Sequence, residues 1–167
     1  MDIETIKQDN KLIPYLICGY NGEKYITSYA NKTLDQHLLF TSFIYQLLTF
    51  FSNGKNTITV YAHNFSSFDG VFFTNQLLEF GKVDPLLHEG KLITIKLNLN
   101  IKGYKNKTIL FKDSYLLLPQ TLRSLCEAFN LVDGKSHFPF NLNNILYKGV
   151  FPCYKYCLIS FSMLPPN

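Results

Sequence analysis

The sequence predicts a mixed α/β domain in which a sheet is flanked by helices. Strand-like runs open the chain, an amphipathic helical pattern follows, and strand and helix patterns then alternate. With 167 residues, 47% of them hydrophobic, the chain is long enough to bury one core. A formal net charge of +4 permits a polyanionic partner but does not require one.

The first thirty residues are predicted to form three antiparallel strands. Residues 1–5 end the first strand, a polar turn follows at residues 7–11, and an apolar run covers residues 12–20. Asn21-Gly22 favours a hairpin turn because both residue types tolerate positive φ. The third strand is therefore expected at residues 24–29.

A helix is predicted next, because apolar residues recur every three or four positions from Phe40 to Phe51. Thr33 and Gln36 have the spacing of a capping box, and Asn53-Gly54 is typical of a helix end.

The rest of the domain is predicted to alternate strands and helices. The expected elements are a strand at 57–62, a helix at about 70–80, strands at 92–98 and 108–111 joined through Gly103, and a helix at 118–130. From Val132 onward the periodicity is lost. We therefore expect a domain over residues 1–131 and a loop-rich C-terminal extension over residues 132–167.

Two acidic signatures carry the chemistry. Residues two apart in a strand project from one face, so Asp2 and Glu4 would present both carboxylates on the same side of the sheet. Such a pair is common on exposed strand ends, and alone it indicates nothing. Asp69 follows the predicted strand at 57–62, and a third carboxylate at a neighbouring strand end could complete a pair of metal sites for phosphodiester hydrolysis.

Oxygen-only ligands favour Mg²⁺ or Mn²⁺ over zinc. The four cysteines have no C-x-x-C spacing, so a zinc site is not expected. No apolar run is long and uninterrupted enough to span a bilayer, and no membrane partner is expected.

Together these residues resemble the first two motifs of the 3′-5′ exonuclease domain of family B DNA polymerases, particularly the protein-primed group of linear plasmids and phages. Asp2-Ile3-Glu4 followed by Thr5 matches the Asp-x-Glu motif. Asn64, Phe68 and Asp69 match the Asn-x(2 or 3)-Phe/Tyr-Asp motif. Asp113-Ser114 is similar to a family segment that holds the single-stranded primer end, although Tyr115 stands where the family usually has Leu.

The resemblance implies an RNase H-like (DnaQ-like exonuclease) fold and a two-ion centre. By that resemblance Asp2, Glu4 and Asp69 would be the catalytic and metal-binding residues. The residues that would bind the terminal nucleotides of a single-stranded DNA 3′ end are Thr5, Asn64, Phe68 and Ser114.

Each nucleotide-binding residue also has a purely structural interpretation. Phe68 could belong to the core, and Asn64 could only cap a turn. Thr5 and Ser114 could satisfy local backbone groups. His63 is interpreted as a hydrogen-bonded scaffold residue rather than a base.

The chain departs from the family at both ends. The third family motif, Tyr-x3-Asp, does not occur in the sequence, and the first strand starts directly after Met1. We therefore expect a truncated fragment with an incomplete catalytic set and little or no exonuclease activity alone. A separate polymerase portion is a candidate partner, and the sequence leaves open whether one is encoded separately. Family and composition point to a mitochondrial, organelle-encoded or plasmid-derived origin.

Two other functions stay open, a non-catalytic single-stranded nucleic-acid-binding module and an RNase H-like hydrolase acting on RNA. Six lysines and no acidic residue lie between Lys91 and Lys112. These lysines could protect an exposed strand edge from aggregation or bind phosphates, and the sequence leaves both alternatives open.

Overall fold

The computed structural model describes residues 1–30, 33–52 and 54–130. The described chain contains seven strands and three α-helices. In chain order they are β1 (Asp2–Gln8), β2 (Lys11–Tyr20), β3 (Tyr25–Tyr29), α1 (Gln36–Phe51), β4 (Thr57–Ala62), α2 (Asp69–Leu77), β5 (Gly81–His88), β6 (Lys91–Leu99), β7 (Thr108–Asp113) and α3 (Leu122–Ala128). Short 3-10 turns precede α2, at Phe65–Ser67, and follow β7, at Ser114–Leu116.

The strands form two hydrogen-bonded sheets. The first has the order β1-β2-β3 and is antiparallel throughout, which confirms the prediction for the first thirty residues. The second has the order β4-β7-β6-β5, with β4 parallel to β7 and the other pairs antiparallel. The backbone nitrogen of Met1 donates to the carbonyl of Tyr61 at 2.7 Å, so β1 begins beside the end of β4.

Helix α1 confirms the predicted helix but not its predicted cap. The residue that caps α1 is Asp35, whose carboxylate accepts a hydrogen bond from the Leu38 backbone nitrogen at 3.1 Å. Thr33 lies two residues before the N-cap position. Asp35 has the extended backbone that an N-cap needs, and its short carboxylate reaches the third helical N–H directly.

The sequence analysis missed strand β5. Its segment contains Asp84 and Pro85, two residue types that are rare in strands. Within the described sheet β5 is an edge strand, where proline is tolerated because one side needs no ladder donor. Gly81 opens the strand with a φ of 158°, and a Cβ there would lie 2.0 Å from the Asn98 carbonyl oxygen.

Helices α2 and α3 form where helices were predicted, and both are shorter. The last helix begins at Leu122 rather than at residue 118, because the chain first makes a 3-10 turn and then passes Pro119. The Thr121 side chain caps this helix by accepting from the Ser124 nitrogen at 3.1 Å.

An aromatic core joins the helices to the second sheet. Phe73 of α2 lies with its ring centroid 4.9 Å from that of Phe40 in α1 and 4.8 Å from that of Phe111 in β7. Phe65, in the turn before α2, stacks on Phe111 at 6.2 Å. All four side chains are buried, so the position of α2 is fixed by packing from both sides.

The predicted boundary at residue 131 and the predicted extension over residues 132–167 lie outside the described residues. None of the three described helices is long and apolar enough to cross a membrane.

Removing the central ring of this core should destabilise the fold strongly. We predict that Phe73→Ala lowers the free energy of unfolding by about 3 to 5 kcal/mol, because a fully buried ring leaves a cavity. Phe50→Ala, on the same type of side chain with 47% of its surface exposed, should cost less than about 1 kcal/mol. Urea denaturation measures both, and equal losses would contradict the packing described.

Candidate functional site

The candidate site lies where the ends of β4 and β7 meet the start of β1. Because β4 and β7 are parallel and Ala62 pairs with Asp113, the segments that leave these two strands start at the same edge of the sheet. The hydrogen bond from Met1 to Tyr61 brings the first residues of β1 to that edge as well. Three chain segments that are distant in sequence therefore converge.

The carboxyl of Asp69 is buried and its pKa is strongly raised. Its side chain is 3% exposed and belongs to the first residue of α2. Burial, and then the negative charge of Asp2, raise the pKa of the Asp69 carboxyl from 3.8 to about 8. The amino terminus, the Ile3 backbone N–H and its own N–H oppose this rise. The oxygen Oδ1 is buried and has no hydrogen-bond partner in the structure as described.

Gly70 allows α2 to start this deep in the fold. A Cβ at Gly70 would lie 2.7 Å from Cδ2 of Leu92 and 3.0 Å from the carbonyl oxygen of Phe65. A larger residue would force the Leu92 side chain to move and would crowd the Phe65 carbonyl oxygen, so glycine allows the closest approach of α2 to this turn. The helix N-terminus in turn offers positive potential to the Asp69 carboxylate.

Asp2 and Glu4 lie on β1 and are both half-buried. Ile3 between them points into the core, so alternation puts the two acids on the opposite face, as predicted. The carboxylate of Asp2 accepts from the Ile3 backbone nitrogen at 3.1 Å and acts electrostatically on Asp69. Burial and then the charge of Glu4 raise the pKa of the Tyr15 hydroxyl, so Glu4 lies near β2.

The structure thus brings Asp2 and Asp69 together. The described part of the chain holds no group of three or more His, Cys, Asp or Glu side chains that could bind a metal ion. The assignment of Glu4 to the same cation site stays a prediction. Thr5 follows a register shift after Glu4 and is paired with Pro14, which has no N–H to donate.

Asn64 and Phe68 frame the 3-10 turn before Asp69. Asn64 has a left-handed backbone with φ 62°, is exposed, and its side chain does not cap the turn, against the capping interpretation. Phe68 is half-buried, and its ring makes an edge contact with Phe72 at 5.4 Å between centroids. Its ring is therefore neither a fully buried core group nor a fully open platform.

Ser114 and His63 join the segments after β7 and β4. The Ser114 hydroxyl lies 3.2 Å from Nδ1 of His63 and 3.3 Å from the Ala62 carbonyl oxygen. Nε2 of His63 lies 2.9 Å from the Gln120 carbonyl oxygen, so that nitrogen carries the proton. These contacts show that His63 is hydrogen-bonded, as expected, and its role as a scaffold residue rather than a base stays a prediction.

Asp113 is a positioning residue that the sequence analysis quoted only as part of a motif. Its carboxylate is 4% exposed and accepts from the backbone nitrogens of Ser66 at 2.9 Å and Tyr115 at 2.8 Å. It therefore fastens the turn before Asp69 to the turn after β7. An Asp directly before a short helical turn is a capping signal that could have indicated half of this role.

The site can be compared with known proteins. The family model for DNA polymerase type B, organellar and viral, matches residues 52–161. The probable DNA polymerase of Ascobolus immersus is 32% identical over 163 residues, which cover 93% of this chain and 13% of that relative. The probable DNA polymerase of Neurospora intermedia is 34% identical over 157 residues, covering 90% of this chain and 16% of that relative.

Solved structures of Phi29 DNA polymerase have a similar fold. The complex with single-stranded DNA matches with a TM-score of 0.67 and 17% identity, over 96% of this chain and 28% of that chain. A complex with primer-template DNA matches with a TM-score of 0.65 and 16% identity over the same shares. At this identity the likeness is one of fold, and it confirms the predicted mixed α/β class. The chain spans about one seventh of the length of the two fungal relatives.

The buried carboxyl of Asp69 should make stability depend on pH. The folded state holds this proton up to about pH 8, whereas the unfolded chain releases it near 3.8, so stability falls as pH rises between these values. We predict that Asp69→Asn removes this fall and, in chelator, raises the free energy of unfolding at pH 9 by about 1 to 3 kcal/mol. Thermal unfolding of both proteins between about pH 5 and 9 measures this difference in stability.

Asp9→Asn is the matched control for that experiment. Asp9 is exposed in the β1–β2 turn, and the change removes the same charge. Parallel pH profiles for the wild type and Asp69→Asn would show that the carboxyl of Asp69 titrates normally and would contradict the prediction.

Proposed function

The chain belongs to the organellar and viral family of type B DNA polymerases, and from this premise we propose that it corresponds to the 3′-5′ exonuclease domain of a protein-primed member. The reaction of that domain is phosphodiester hydrolysis at DNA 3′ ends. The observation that carries the proposal is the buried carboxyl of Asp69 beside the charge of Asp2.

Two carboxylates held together at low solvent exposure repel each other unless a cation or a proton lies between them. Oδ1 of Asp69 is buried and has no hydrogen-bond partner in the structure as described. A carboxylate oxygen of this kind is a suitable ligand for a hard cation. We therefore assign Asp2 and Asp69, with Glu4 as a further ligand, to Mg²⁺ or Mn²⁺. When bound, a pair of such ions would supply water activation and stabilisation of the leaving oxygen.

The DNA 3′ end is assigned to the groups around these acids. Asn64 offers an exposed amide, and Phe68 offers the exposed part of its ring as a face for a base. Ser114 directly follows β7 at this edge but is buried and bonded to His63, and Thr5 lies three residues along β1 from Asp2, so the assignment of these two residues rests on the family motifs. Phi29 DNA polymerase, whose fold is similar, is complexed with single-stranded DNA and with primer-template DNA in two of its structures, which supports DNA as the partner.

The chain is proposed to act together with a polymerase portion rather than alone. The sequence contains no Tyr-x3-Asp, so the last acid and the tyrosine of the family's third motif have no counterpart in it. Without them a two-ion centre is under-neutralised and the attacking water is poorly oriented. An organellar setting is part of the same proposal.

A second candidate function is a non-catalytic module that binds single-stranded nucleic acid. The run of lysines between Lys91 and Lys112 favours it, because phosphate contacts alone supply salt-dependent affinity. The two functions differ in whether a free 3′ end and a divalent cation matter.

Linear and circular single-stranded DNA of equal length separate the two candidates. If Asp2 and Asp69 hold a cation that contacts a 3′ end, adding Mg²⁺ should strengthen binding of the linear strand by about tenfold over the circle. Fluorescence anisotropy measures both, and gel analysis of the same samples should reveal little or no shortening.

Asp69→Asn should abolish the preference for the linear strand, whereas the control Asp9→Asn should keep it. Equal binding of linear and circular DNA, with or without Mg²⁺, would leave the non-catalytic module as the function. Rapid Mg²⁺-dependent degradation that Asp69→Ala abolishes would show that the chain is active alone and would overturn the inactivity proposed.

A further inference from the structure

Four lysines gather at the end of the second sheet that is opposite the candidate site. We name as the far-end lysine cluster the residues Lys55, Lys102, Lys105 and Lys107. Lys55 precedes β4, and the other three lie in the loop that joins β6 to β7. The candidate site lies past the other ends of β4 and β7. Since each strand has six residues, the two regions are about 20 Å apart.

The loop that carries these lysines is folded by its own backbone bonds. The nitrogen of Tyr104 donates to Ile101, and the nitrogen of Lys107 donates to Tyr104, both at 2.9 Å. Gly103 supplies the positive φ of 88° that the turn needs. Tyr104 also packs against the core, so the loop presents its charges from a fixed base.

A contact between side chain and backbone holds the cluster together. The ammonium group of Lys107 donates to the carbonyl oxygen of Lys55 at 2.7 Å, and Thr108 donates its backbone N–H to Asn56 at 2.8 Å. These bonds fix the segment before β4 against the segment before β7. Lys55, Lys102 and Lys105 remain exposed beside it.

Protection of a sheet edge does not explain the three lysines of the β6–β7 loop. In the order β4-β7-β6-β5, strands β6 and β7 each have a neighbour on both sides. The loop that joins them therefore lies beside no strand with unpaired backbone groups. The edge strand β5 has Lys82, whose ammonium group is paired with Asp84 at 3.0 Å. Edge protection applies to Lys55, which precedes the other edge strand β4, but not to the three lysines of the β6–β7 loop, and for those three phosphate binding is the explanation that fits this strand order.

The cluster is also uncompensated. Within the described residues, none of its four ammonium groups forms an ion pair with a carboxylate. No acidic residue occurs in the sequence between Lys91 and Lys112. Four cations at one end of the sheet with no carboxylate partner are complementary to a polyanion, whose binding releases counterions.

We propose that the far-end lysine cluster binds the phosphates of a single strand of DNA, as a second contact separate from the 3′-end site. The choice of DNA rests on the family assignment, and the contact needs no cation at Asp69. A strand long enough to bridge the two regions would therefore engage both, and one too short to bridge them would engage one at a time.

Neutralising two lysines of the cluster tests the proposal. The test is made in chelator, where no divalent cation is bound at Asp2 and Asp69. We predict that Lys102→Gln combined with Lys105→Gln weakens binding of a DNA strand of about 20 nucleotides roughly tenfold and lowers the slope of log K against log salt by about 1.4. Binding of an oligonucleotide of about 4 nucleotides should also weaken in the same titration, because in chelator the cluster is its proposed contact as well.

The control replaces Lys7 and Lys11, exposed residues of the β1–β2 hairpin, with glutamine. It removes the same net charge from another surface and should leave affinity and salt slope as in the wild type. Thermal unfolding checks that both double variants fold, and Lys55→Gln provides an independent change outside the loop.

Equal affinities and slopes for the cluster variant and the hairpin control would overturn the proposal. So would a wild-type chain that binds no DNA strand in chelator. Neither result would affect the cation site, which the preference for linear DNA in Mg²⁺ tests separately.

Discussion

The whole arrangement depends on burying one carboxyl group next to the charge of another. Asp69 is placed at the first turn of α2, and Asp2 comes to the same edge because Met1 bonds to the end of β4. Burial without a cation is unfavourable for a charged carboxylate, so the isolated fold keeps a proton there. A protein that retains such a cost commonly does so at a functional site.

Tight packing around the Asp69 carboxyl holds it in its unfavourable buried position. The ring of Phe73 packs between those of Phe40 and Phe111, and Gly70 allows α2 to lie close to β6. The Asp113 carboxylate then fastens the turn before Asp69 to the turn after β7. The acidic edge and the far-end lysine cluster thus lie at opposite ends of the same pair of parallel strands, β4 and β7.

Patterns with local causes were predictable from the sequence. The hairpin at Asn21-Gly22, the periodic face of α1 and the strand before His63 follow from turn chemistry and side-chain alternation. Strand β5 was not predictable, because Pro85 is acceptable only on an edge that the rest of the sheet defines. The cap at Asp35 in place of Thr33 depended on a competition between neighbouring acceptors.

The site was predictable in its residue types and only partly in its geometry. Asp2 and Asp69 come together as the motifs indicate. The two hydrogen bonds that the Asp113 carboxylate accepts, from Ser66 and Tyr115, were not predictable, because they link segments about fifty positions apart in the chain. Likewise, whether the lysines of β6 and β7 guard an edge depended on strand order, which no local pattern contains.

The affinity of the chain for Mg²⁺ as a function of pH tests the central claim most directly. If the cation displaces the proton that Asp69 holds up to about pH 8, affinity measured by calorimetry should rise about tenfold per pH unit from pH 6 and level off above 8. The pH dependence should vanish in Asp69→Asn. An affinity that is independent of pH, or unchanged by that substitution, would contradict the account.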